Sequence, residues 1–117
     1  MYPFGVDNKK EVPLDLARAG EARHFIAWKA AVAGLGGGRL NDLAVAAEAV
    51  LTDVFLSVGG GGKLEVESEA AGDAVRITLR HPELRGRRMS DLEGMMVQYL
   101  DGYELSPTES VLVKRLR

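Results

Sequence analysis

The sequence predicts an α+β protein, a two-layer sandwich with a mostly antiparallel sheet and three helices on one face. Three observations predict it. Two stretches before residue 60 repeat apolar residues at helical spacing, and two stretches just after it alternate apolar with polar residues. A third helical stretch and a second strand pair then close the chain. The resulting order, β-α-α-β-β-α-β-β, suits helices packed on one face of a sheet.

Residues 1 to 10 are polar and mixed, with Pro3 and Gly5, and read as a loosely held arm or an edge segment. Glu11 to Leu16 carries Val12, Leu14 and Leu16 in partial alternation, which suits a short strand. Pro13 confines that strand to a sheet edge, because proline cannot donate to a ladder. Ala17 to Ala33 is the first helix, with Ala22, Phe25, Ile26, Lys29, Ala30 and Ala33 at helical spacing and Asp15 as its cap. Asn41 caps a second helix over Asp42 to Val58, with Leu43, Ala47, Val50, Leu51, Val54 and Phe55 on its apolar side.

Lys63 to Glu69 and Ala74 to Arg80 alternate with period two around a turn at Ala71-Gly72-Asp73, which predicts a hairpin with one buried face. Ser90 and Glu93 have the spacing of a capping box ahead of a third helix, Asp91 to Leu100. Met95 and Met96 fit its packing side. Tyr103 to Leu105 and Ser110 to Leu116 form a last hairpin around Ser106-Pro107-Thr108.

Composition narrows the function. The 117 residues hold 17 acidic and 15 basic side chains, for a net charge of −2, and no cysteine. The length suits one domain with one core. Zero cysteines exclude a disulfide scaffold, a thiolate metal site and a cysteine nucleophile. The near-neutral charge speaks against general nucleic-acid binding. No apolar run approaches the roughly 20 residues of a membrane span, and the N-terminus lacks the apolar core of a secretory signal, so the expected location is the cytoplasm. His24 and His81 have no metal-ligand spacing around them. Eight of the 14 glycines fall in two clusters, Gly34 to Gly38 and Gly59 to Gly62. Neither matches a P-loop, and both read as connectors at helix ends.

The element order and three stretches carry a family resemblance. Ala17 to Leu35 looks like a first helix, Leu40-Asn41-Asp42-Leu43-Ala44-Val45-Ala46-Ala47-Glu48-Ala49-Val50 looks like the start of a site-bearing second helix, and Val111-Leu112-Val113-Lys114-Arg115-Leu116 looks like a closing strand. In these the chain resembles the bacterial anti-sigma-factor serine kinases, a branch of the histidine-kinase-like ATPases, over about Val12 to Arg117. The resemblance implies that fold, ATP and Mg²⁺ as ligands, and a sigma factor and an anti-anti-sigma protein as partners.

It also implies site residues, and here the chain departs from the pattern. The family's long helix carries a Glu that serves as general base and, four residues on, an Asn that coordinates Mg²⁺. Glu48 matches the Glu, whereas Thr52 stands in the Asn position with Asp53 beside it. An Asp-x-Gly-x-Gly that contacts adenine is implied after the second hairpin strand. That position reads Arg80-His81-Pro82-Glu83-Leu84-Arg85-Gly86, with Glu83 its only carboxylate and Gly86 its only glycine. Thr52, Asp53, Glu83 and Gly86 would thus line a vestigial cleft. Arg80, Arg85, Arg87 and Arg88, with His81, form a basic set near the third helix, suited to an anion or an acidic partner surface. The plainer alternative is a solvated loop balancing acidic helices.

The leading expectation is therefore a regulatory protein-binding module resembling an anti-sigma factor, with nucleotide binding weakened or lost and no cofactor. Its partner would be a sigma factor, an anti-anti-sigma protein or a second copy, with no nucleic acid and no membrane involved. The alternative is an active ATP- and Mg²⁺-dependent serine kinase, with Glu48 as base and Thr52 or Asp53 on the metal. A third is an unrelated α+β protein that shares only the element order.

Overall fold

The computed structural model describes residues 8–58, 61–84, 87 and 89–117, with only the backbone of Met89. Residues 1–7, Gly59, Gly60, Arg85, Gly86, Arg88 and the Met89 side chain lie outside the described residues.

The elements are β1 (Lys9–Pro13), α1 (Ala19–Val32), α2 (Gly37–Val58), β2 (Lys63–Ala71), β3 (Ala74–Arg80), α3 (Met89–Tyr99), β4 (Gly102–Leu105) and β5 (Glu109–Arg115). A 3₁₀ turn over Leu16–Arg18 precedes α1. The five strands form one antiparallel sheet in the order β1-β2-β3-β5-β4.

The period-two pattern decides which face is buried. Val12 pairs with Leu64, Val66 with Leu79, and Ile77 with both Ser68 and Leu112. All are buried, and the apolar ones join one cluster with Phe25, Ile26, Leu43, Val50, Leu51, Val54 and Met96 from the helices. The opposite face carries Glu65, Glu67, Arg76, Arg80 and Glu109, where charged neighbours pair across strands: Arg80 reaches Glu65, Glu67 and Glu109. α1 lies over β1 and β2, α2 over β5, and α3 beside β4 and against α2. The architecture is an α+β sandwich with its core between one helical layer and one sheet.

Several boundaries differ from the sequence expectation, each for a local reason. Of the two readings for residues 1 to 10, Lys9 and Lys10 follow the edge segment: they pair with Glu67 and Val66, so β1 starts earlier than Glu11. Asp15 caps the 3₁₀ turn, its carboxylate accepting from the Ala17 N–H at 3.0 Å, so α1 starts two residues later than expected. α2 starts before Asn41: the Leu40 N–H donates to the Gly36 carbonyl at 3.3 Å, and Gly37 and Gly38 form its first turn. Glycine costs roughly 1 kcal/mol in a helix, and the packed apolar face of this long element outweighs that. Ser90 lies inside α3, which begins at Met89.

The β2–β3 turn matches its sequence signal. Ala71 pairs with Ala74, leaving Gly72 and Asp73 as a two-residue loop. Gly72 has φ +64° at the first central position, the requirement of a type II′ turn.

Candidate functional site

α2 brings Glu48, Thr52 and Asp53 to the stretch of helix that the resemblance singles out. Two arginines meet those carboxylates. Arg23 of α1 holds Glu48 through both nitrogens of its fork, the second contact being Nη2 to Oε2 at 3.1 Å. This bidentate grip is the main cause that pulls the Glu48 carboxyl below its ordinary range, and burial opposes it. The Thr52 hydroxyl donates to the same carboxylate at 3.3 Å. Glu48 with Arg23, Ala44, Val45, Ala49 and Met95 lines a shallow groove of about 450 Å³ over the helical layer.

Asp53 is engaged more deeply. Arg87 donates from Nε to Asp53 Oδ2 at 2.7 Å, from Nη1 to the Ser106 carbonyl at 2.8 Å, and from Nη2 to Ser110 Oγ at 2.8 Å. Its side chain is only 3% exposed and that of Asp53 17%. Ser110 in turn meets His81 Nε2 at 3.1 Å, and His81 Nδ1 lies 3.1 Å from the Pro82 carbonyl. A buried polar bridge thus runs from α2 through Arg87 to β5 and on to the end of β3. It ties the C-terminal half of the long helix to the sheet.

The structure separates the predicted basic set. Arg80 lies on the outer sheet face among carboxylates, whereas Arg87 is buried against Asp53. They do not share a patch, because Arg80 follows the outward phase of β3. Arg85 and Arg88 lie outside the described residues, as does Gly86 of the vestigial cleft. Glu83 is exposed after β3. Sequence reasoning placed His81 with the basic set and did not single out Arg23 or Ser110. Ser110 carried a signal: it occupies an inward phase of β5, where apolar residues are the rule.

Arginines already hold the carboxylates that the resemblance assigns to Mg²⁺–ATP chemistry. A metal would have to draw Asp53 away from a buried guanidinium, or Glu48 away from Arg23 and the Thr52 hydroxyl away from Glu48. Among the described residues no three His, Asp or Glu side chains converge as a metal site. On α1 and the turn before it, Leu16, Trp28 and Val32 stand out to solvent at 62%, 49% and 69% exposure. No family model matches the chain, and no curated protein matches it.

Proposed function

We propose that the chain is a regulatory protein-binding module of anti-sigma type, built on the histidine-kinase-like ATPase fold, with nucleotide binding weakened or lost. The five-stranded antiparallel sheet under three helices is compatible with that fold. The observation that carries the reading is the engagement of both acidic groups by arginines. An ATP site of this type would use Glu48 as base and Thr52 or Asp53 on the metal, and Arg23 holds Glu48 while Arg87 holds Asp53. Freeing Asp53 would leave the Arg87 charge buried without a counter-ion, a large cost. The exposed apolar side chains of α1 support a protein partner, since such groups at a surface favour association. The partner is a sigma factor, an anti-anti-sigma protein or a second copy of this chain.

Two measurements test the proposal. Calorimetric titration with Mg²⁺–ATP is expected to give no binding at sub-millimolar nucleotide. A clear isotherm there would favour the active serine kinase, with Glu48 as base. Trp28 is the only tryptophan and sits on the exposed face of α1, so its emission reports docking on that face. Purified sigma factors and anti-anti-sigma proteins are titrated in turn, and dilution of the chain alone tests self-association. One of them shifts the emission, and Val32→Asp weakens that binding at least tenfold, which is about 1.4 kcal/mol. An unshifted emission throughout would overturn the protein-binding reading.

A further inference from the structure

The buried bridge has a direction, and that direction suits a neutral His81. A guanidinium only donates, so Ser110 Oγ must accept from Arg87 Nη2 at 2.8 Å. The hydroxyl proton of Ser110 is then available to His81 Nε2 at 3.1 Å. The Pro82 carbonyl can only accept, so Nδ1, 3.1 Å away, carries a proton, and a neutral ring presents a bare Nε2 to the Ser110 hydroxyl. Ser110 is fully buried and His81 is 7% exposed, so water does not replace a lost partner.

We propose that His81 is a protonation switch for this bridge: gaining a proton on Nε2 breaks the Ser110 contact and loosens Arg87 from Asp53 and β5. A protonated Nε2 points a hydrogen at Ser110 Oγ. The serine can then no longer donate to the ring and must redirect its proton within a buried site. The new charge also faces Arg87. The charged groups around the ring are Arg87 from the segment after β3, Asp53 from α2 and Glu109 from β5. The two carboxylates favour protonation and Arg87 opposes it. Burial is the largest influence and holds the ring below the ordinary histidine range.

The sign follows. The folded state binds the proton less readily than the unfolded chain, so the bridge is at full strength above about pH 6.5. It weakens as pH falls from there through the lower value of the folded ring. This holds whether or not the chain binds a sigma factor.

The test is ring and guanidinium NMR on ¹⁵N-labelled protein from pH 8 to pH 4.5, with Arg87→Lys assigning the Arg87 Nε–H signal. At pH 7.5 the ring is expected to be neutral with its proton on Nδ1. It titrates below 6.5, and the Arg87 signal moves or broadens with the same midpoint. A proton on Nε2 at pH 7.5, a midpoint at or above 6.5, a ring neutral down to pH 4.5, or an Arg87 signal that ignores the titration would each overturn the proposal. As a second readout, the Tm of the native sequence falls between pH 7.5 and pH 5 by about 4 °C more than that of His81→Gln, which keeps the acceptor but cannot titrate. Equal losses in the two proteins would likewise overturn it.

Discussion

Replacing Arg87 by methionine is expected to destabilise the protein by about 3 kcal/mol, with most of that loss recovered when Asp53→Leu is added. The guanidinium side chain is 3% exposed and makes three hydrogen bonds, to Asp53, the Ser106 carbonyl and Ser110. Removing it alone strands a largely buried carboxylate, and breaking such a pair costs about 3–5 kcal/mol. Asp53 keeps 17% exposure, which places the effect at the lower end. Removing both charges leaves no orphaned ion, and an apolar pair of similar volume is often neutral for stability. Urea denaturation of the single and double variants checks this through the midpoint at constant slope. A double variant as unstable as Arg87→Met would mean that the contacts to Ser106 and Ser110, and not the ion pair, carry the cost.

Ile77→Ala is expected to cost about 4 kcal/mol, a large part of the 5–15 kcal/mol that holds a domain of this size. Ile77 is fully buried at the centre of the sheet, opposite Ser68 on one side and Leu112 on the other. Its neighbours on β3 and β5 are fixed by ladder pairing and cannot collapse into the space. Chemical denaturation checks the figure. A loss under 1 kcal/mol would show that the helical layer closes onto the sheet more readily than the packing implies.

The parts of the fold legible in the sequence are those with an unbroken period. β2 and β3 alternate without exception between Leu64 and Val66 and between Val75 and Leu79, and the turn at Gly72 has the residue its geometry demands. Helix starts were less legible. Gly37 and Gly38 look like connectors by type, and Asn41 looks like a cap, yet long-range packing extends α2 over all three. The site was half legible. Glu48, Thr52 and Asp53 follow from their places on one helix. Their partners come from elsewhere in the chain: Arg23 is 25 residues from Glu48, and Arg87 is 34 from Asp53. No local pattern reports such pairs. Arg87 looked like one of several surface arginines because nothing in its own neighbourhood announces burial.

The two borders of the sheet have a colloidal consequence. A free strand border offers unpaired N–H and C=O groups on which another chain can crystallise into fibrils. Here β1 ends in Pro13, which has no N–H to offer, and carries Lys9, Lys10 and Glu11. At the other border β4 is only four residues long and begins with Gly102. A charged border closed by proline and a short one are both poor templates. The sheet can therefore keep its central strands strongly apolar without inviting uncontrolled growth from its rims.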